Sequence, residues 1–256
     1  MSATARIVKI HAAPARNFDK DNGDRRMHKT ALDHAGAFFS TYAPAFEHPV
    51  IVEVGSADVN GSLRSVAPAD CRYVGLDFAP GSGVDIVLTD PYHYPVETAS
   101  ADMVVTSSCF EHAEFFWLSF LEILRILKPE GVVYVNVPSN GLYHRYPTDC
   151  WRFYPDAGLA LSRWAQRHGL STLLLESFIG WQDAEMWNDF VAVFLKDRAH
   201  ASRYPQRMHA QAKNPTNVIV DEADGPQQIT AQPQDARRTV HLANHMVQLI
   251  NGLGNV

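Results

Sequence analysis

The side chains best placed to do chemistry fall into two groups. The first is a set of acids, each at or near the end of an apolar run: Glu53 in Val50-Ile51-Val52-Glu53-Val54-Gly55-Ser56-Ala57, Asp77 closing Arg72-Tyr73-Val74-Gly75-Leu76-Asp77, and Asp90 in Thr89-Asp90-Pro91-Tyr92. The second is the stretch from Pro138 to Tyr154, which gathers His144, Arg145, Asp149 and Arg152 among Tyr143, Tyr146 and Trp151. A glycine-bearing turn followed about 20 residues later by an acid at a strand tip is how α/β folds hold a ribose, the carboxylate accepting from its hydroxyls. Gly55, Ser56 and Ala57 are small enough for a ligand to approach the backbone closely, and Glu53 can accept a hydrogen bond from it. In the second group His144 is the candidate general base, with Asp149 its expected orienting partner, because imidazole titrates nearest to neutral pH. Tyr143, Arg145, Tyr146, Trp151 and Arg152 supply flat apolar walls, hydrogen bonds and charge for a small substrate.

Other chemistry is weakly signalled. Glu111 and His112 are adjacent, but no further histidine stands near them at ligand spacing, so a turn-stabilising role is expected for His112 and no metal for the protein. Cys71, Cys109 and Cys150 are widely spaced without a C-x-x-C, which argues against a disulfide framework and a thiolate metal site and suits a reducing, cytoplasmic compartment. An excess of 28 acidic over 22 basic side chains gives no general attraction to nucleic acid or anionic membrane. No apolar run approaches the length of a membrane span.

These groups need a scaffold, and the hydrophobic pattern supplies one. Met27, Ala31, Ala35, Phe38 and Tyr42 recur at helical spacing up to Pro44, ahead of the Val50–Val54 run. Ser62 to Val66 leaves room for only a short helix. Strands are expected at Arg72–Asp77, near Val84–Leu88 and at Ser100–Ser108, whose small polar end, including Ser107, can line a cofactor floor. Phe116, Phe120, Leu121, Leu124 and Leu127 form a helical face that Lys128-Pro129-Glu130-Gly131 should end. Strands near Val132–Val137, Ser171–Phe178 and Phe190–Leu195, with a helix over 155–168 between the first two, complete the series. Alternating strands and helices predict a parallel sheet with right-handed crossovers.

Taken in order, Glu53-Val54-Gly55-Ser56-Ala57, Asp77, Asp90, Asp102 and Leu127-Lys128-Pro129-Glu130-Gly131 resemble the class I S-adenosylmethionine-dependent methyltransferases over roughly residues 50–196. The resemblance implies an α/β, doubly wound, seven-stranded and mostly parallel sheet with its last strand antiparallel. It also implies S-adenosyl-L-methionine as cofactor: the Glu53–Ala57 loop holds the methionine part, Asp77 with Phe78 beside it the ribose, and Asp90 with Pro91 the adenine. The family's second loop glycine is Ala57 here, which is tolerable where that residue keeps φ below zero. Asp58-Val59-Asn60-Gly61, Asp90 to Pro95 and Tyr143 to Pro147 are similar to a bacterial subgroup associated with carbohydrate-type substrates, which implies O-methylation of a sugar or related metabolite. The enzyme alternative is an NAD-type oxidoreductase, whose G-x-G-x-x-G the run Gly55 to Asn60 does not match; the other is a non-catalytic scaffold with the same fold.

Three regions are expected: an N-terminal arm and capping helix over 1–48, the cofactor-binding domain over 49–196, and a mobile extension over 197–256. Within the extension, Ala236, Val240, Ala243, Val247 and Ile250 share one face of an amphipathic terminal helix, with Asp235 and Gly252 at its ends. That helix is expected to pack on the body or to join a homo-oligomer.

Overall fold

The computed structural model describes residues 29–253 apart from 60, 182–187, 223–224 and 232–233. The polar arm expected before residue 27 lies outside them. The chain builds α1 (Lys29–Tyr42), β1 (Val50–Val54), β2 (Arg72–Asp77), β3 (Ile86–Val87), β4 (Ala101–Ser107), α2 (Phe116–Ile126), β5 (Leu127–Pro138), α3 (Ala157–Arg167), β6 (Leu173–Gly180), β7 (Asp189–Leu195), β8 (Thr216–Val220) and α4 (Gln234–Leu253). All eight strands join one sheet in the order β3-β2-β1-β4-β5-β7-β6-β8. Strands β1 to β5 pair in parallel, and β7 lies antiparallel between β5 and β6. The sheet is therefore mostly parallel, α/β and Rossmann-like.

Alternation along the strands divides the core in two. Val52, Val104, Val133 and Val135 face the side covered by α2 and α3, where Phe120, Ile123 and Leu124 are buried. Ile51, Met103, Val105 and Tyr134 face the side covered by α1 through Phe38 and Tyr42. A strand covered on both faces must be apolar on both, which is why β1, β4 and β5 read as continuous apolar runs.

Two expectations change. Leu127 to Gly131 does not end a helix; α2 stops at Ile126 and the chain enters β5, with Leu127 opposite Ala101 and a register shift before Val132 meets Met103. Pro129 is accommodated near the start of the strand, where a missing N–H matters least.

The stretch after Lys196 is not an unattached extension. It adds β8 antiparallel to β6 as an eighth strand and buries Tyr204, Met208, Val218 and Ile219. Its anchor is Glu176 on β6, fully buried, which accepts hydrogen bonds from the N–H groups of Met208 (2.7 Å) and His209 (2.9 Å), from His209 Nδ1 (2.8 Å) and from Tyr42 Oη. A carboxylate inside a sheet is tolerated only when saturated in this way. The helix α4 spans Asp235 and Gly252, and its Val240, Val247 and Ile250 are exposed, so these side chains are not packed on the body.

Candidate functional site

Parallel order reverses between β1 and β4, the position at which open α/β sheets form a crevice beyond the carboxyl ends of their strands. The loop after β1 fills one side of it. Gly55 has φ +81°, a left-handed conformation that favours glycine, and a Cβ there would lie 2.7 Å from Cys109 Cβ. Gly55 and Ser56 both donate N–H bonds to the Leu76 carbonyl (2.9 and 3.1 Å), which holds the loop against the end of β2. Ala57 is not among the residues with positive φ, so alanine meets the condition set for it.

Asp77 sits at the tip of β2, nearly buried. One of its oxygens accepts from Ala57 N–H (3.0 Å), the other from Ala79 N–H (3.1 Å). Each carboxylate oxygen keeps a further acceptor site, so the acid both fixes the loop and remains able to receive a ribose hydroxyl. Phe78, beside it, is exposed and offers an apolar face. Glu53 is buried with Tyr73 Oη donating to it (2.9 Å), and burial pushes its carboxyl up to about 7. The hydroxyls of Ser56 and Ser107 are buried without a protein partner at the ends of β1 and β4. Asp90 is exposed after β3, one oxygen accepting from Tyr92 N–H (2.9 Å), with Pro91 exposed beside it. A close-approach loop, an acid within reach of a diol and orphaned hydroxyls at the strand ends fit a nucleoside cofactor carrying an amino-acid tail.

The other side of the crevice is built from two segments tied together. The loop after β5 is fastened to the turn after β4: Cys150 and Trp151 N–H groups donate to the Glu111 carbonyl (2.7 and 3.2 Å), Thr148 Oγ1 to the His112 carbonyl (2.6 Å), and Trp151 Nε1 to the Ala113 carbonyl (3.0 Å). Trp151 also packs edge-on against Phe116 and Trp117, so it anchors the loop to α2. Tyr143 and Tyr146 are exposed on the loop, and Arg145 Nε donates to the Pro147 carbonyl (3.1 Å).

Asp149 and His144 are neighbours, but not in the expected way. Asp149 accepts from the His144 backbone N–H (2.6 Å) and from both terminal nitrogens, Nη1 and Nη2, of Arg152 (2.5 and 2.9 Å). Its oxygen lies 3.6 Å from His144 Nδ1, too far for a hydrogen bond, while the Leu142 carbonyl lies at 3.2 Å. Burial works against the charge on Asp149, yet Arg152 and the His144 N–H outweigh it and hold the acid at about 2. Asp149 thus orients the loop backbone, and Leu142 the imidazole.

The fold brings in residues the sequence left aside. The rings of His112 and His144 meet edge-on with centroids 5.0 Å apart, and Glu111 is buried against them with Oε2 unpartnered. Burial pushes the Glu111 carboxyl up to about 8 and lowers His112. Beyond them, at the ends of β5 and β6, a cavity of about 140 Å³ is lined by Ser139, Asn140, Tyr154, Trp181, Asn188 and Asn217. None of its lining residues belongs to the Gly55 loop or to β2. No periodicity marked Asn140 or Asn188; only the density of polar residues after β5 pointed toward the former.

The family model described as a methyltransferase domain matches residues 39–135, which contain the Gly55 loop, Asp77, Asp90 and the Glu111–His112 pair. Among solved structures the chain is similar to Burkholderia thailandensis 1,6-didemethyltoxoflavin-N1-methyltransferase, solved with 1,6-didemethyltoxoflavin and S-adenosylhomocysteine bound, at 12% identity over 66% of this chain and 80% of that one, with a TM-score of 0.50. It is also similar to a SAM dependent methyltransferase from Aquifex aeolicus, at 9% identity over 65% of this chain and 93% of that one, with a TM-score of 0.43. No curated protein matches the chain. Among the described residues no helix is long and apolar enough to cross a membrane. Residues 39–135 therefore match a methyltransferase domain, and the mostly parallel sheet that contains them has the Rossmann-like fold of S-adenosylmethionine-dependent methyltransferases.

Proposed function

We propose that the protein methylates a hydroxyl of a small polyhydroxylated acceptor such as a sugar. The observation that carries this reading is the cavity at the ends of β5 and β6. Asn140 Nδ2 and Asn188 Oδ1 are buried there without a protein partner, a donor and an acceptor beside the flat faces of Tyr154 and Trp181. An unmade buried hydrogen bond costs about 1–3 kcal/mol, and ligand hydroxyls would relieve it. Aromatic faces beside paired polar groups suit the apolar and hydroxylated sides of a pyranose.

On the cofactor side, Glu53, Gly55, Ser56 and Ala57 would hold the methionine part, Asp77 and Phe78 the ribose, Asp90 and Pro91 the adenine, and Ser107 the floor. When bound, S-adenosylmethionine supplies a methyl group on a sulfonium sulfur, open to in-line attack by an oxygen nucleophile. This chain's residues then align and deprotonate the acceptor. Tyr143, Arg145, Tyr146 and Arg152, on the loop whose ends Asn140 and Tyr154 line the cavity, would contact the part of the acceptor that extends from it, Trp151 holds their loop in place, and His144 takes the hydroxyl proton. Asp149 serves by fixing the His144 backbone. The cytoplasm and pairing with a second copy through the exposed face of α4 belong to the same proposal.

The test is incubation with S-adenosylmethionine and a panel of free and nucleotide-linked sugars, alongside amine and carboxylate acceptors, followed by mass spectrometry. An O-methylated sugar is expected. Turnover confined to nitrogen or carboxylate acceptors would overturn the assignment of the acceptor.

A further inference from the structure

We propose that Glu111, His112 and His144 form a binding site for one divalent transition-metal ion of the zinc, nickel or cobalt kind. Each residue offers one ligand atom, and the three atoms lie within 4.8 Å of one another. Two imidazoles and one carboxylate are the donor set that borderline divalent ions prefer, whereas magnesium and calcium prefer oxygen alone.

Three observations point to an ion at the centre of this group. Glu111 is 1% exposed, and its Oε2 has no hydrogen-bond partner, an arrangement that a buried carboxylate rarely keeps unless something else meets it. His112 holds its Nδ1 against the Thr148 carbonyl, and its Nε2 faces Glu111 Oε1 at 3.7 Å. His144 Nδ1 has the Leu142 carbonyl as its nearer neighbour at 3.2 Å; Arg152 Nη2 lies further off, at 3.4 Å, and is engaged by Leu142 (2.7 Å) and Asp149 (2.9 Å). A carbonyl on Nδ1 puts the ring proton there and the lone pair on Nε2, which is how metal-binding histidines are oriented by the groups around them.

The geometry needs only a small closure. Donors held at about 2.1 Å around a tetrahedral ion lie about 3.4 Å from one another, so side-chain rotation suffices to close the present spacing. Charge also permits it, since the nearby Asp149 and Arg152 neutralise each other and leave no cation among the described residues paired with Glu111. The backbone already ties the two ligand-bearing segments together through Thr148, Cys150 and Trp151. In any form of the enzyme that holds the ion, His144 is a ligand and not the proton acceptor.

The site is read out without cofactor or acceptor, so its failure is separate from failure of the methyl-transfer reading. Purified full-length protein, stripped with a chelator and dialysed, is titrated with Co²⁺ while visible absorption is recorded, and with Zn²⁺ in competition. One equivalent per chain is expected, with Co²⁺ ligand-field bands that Zn²⁺ abolishes. Glu111→Gln and the double variant His112→Ala/His144→Ala should weaken binding by about tenfold or more, with S-adenosylhomocysteine affinity as the check on folding. The exposed pair His241 and His245 on α4 stands at ligand spacing, so His241→Ala/His245→Ala is the second variant; it should bind Co²⁺ as the unaltered protein does. Absence of stoichiometric binding, undiminished binding in the His112/His144 variant, or loss of binding in the His241/His245 variant would each overturn the site.

Discussion

On the cofactor side of the crevice, the acid expected to meet the ligand is already engaged by its own loop: both oxygens of Asp77 accept backbone N–H groups, and Gly55 and Ser56 are bound to Leu76. On the acceptor side the loop backbone is equally well tied, yet Glu111 Oε2, Asn140 Nδ2 and Asn188 Oδ1 are buried with no protein partner. Among the described residues, the cofactor side leaves the small hydroxyls of Ser56, Thr106 and Ser107 in that state. On the proposed assignment of the two sides, this domain would spend its rigidity on holding a constant ligand and its unsatisfied polar groups on recognising a variable one. A ligand on the acceptor side would satisfy groups that now carry a desolvation penalty, which gives selectivity against molecules lacking matching hydroxyls.

The largest expected effect separates the two sides at once. His144→Ala should lower turnover by about 10²- to 10⁴-fold, the range of general acid–base catalysis, while S-adenosylhomocysteine affinity stays unchanged in calorimetry. A parallel loss of cofactor affinity would mean that the sides are not independent. Next, Asp77→Ala should weaken S-adenosylhomocysteine by roughly 5- to 150-fold, equivalent to about 1–3 kcal/mol, and leave the exchange protection of residues 143–152 intact.

Arg152→Ala should do the reverse. It leaves the Asp149 carboxylate without its guanidinium, so amide exchange in residues 143–152 should quicken by about tenfold, a local loss of about 1.4 kcal/mol, with cofactor affinity retained. The smallest effect concerns pH. Glu53 is pushed from 4.5 to about 7 by burial, so between these values the folded state keeps a proton that the unfolded chain gives up. Its contribution to stability is complete below about 4.5 and is lost as pH rises through 7. Glu53→Gln should therefore flatten the fall in thermal midpoint between pH 5 and pH 7; an unchanged slope would assign that fall to other groups.

What the sequence made legible was local. Val50–Val54, Arg72–Asp77 and Ala101–Ser107 are strands because β-branched runs buried on both faces leave little alternative, and a break to small residues marks their ends. The cofactor side lies within such runs and could be read directly. The acceptor side depends on contacts between distant segments. His112 does sit in the turn after β4, but its partners Thr148 and His144 come from the loop after the next strand and could not be read from the sequence around it. The segment after Lys196 misled for a similar reason: its polar composition hides Tyr204, Met208 and β8, which are held by Glu176 on β6. Leu127 to Gly131 misled because proline and glycine end helices more often than they begin strands.

The most direct measurement of the central claim is calorimetric titration of the full-length protein with S-adenosylhomocysteine and with NAD in parallel, each repeated with Asp77→Ala. One S-adenosylhomocysteine bound per chain is expected, with affinity reduced by roughly 5- to 150-fold in Asp77→Ala and no NAD binding. Binding of NAD in preference to S-adenosylhomocysteine, or S-adenosylhomocysteine affinity indifferent to Asp77, would contradict it.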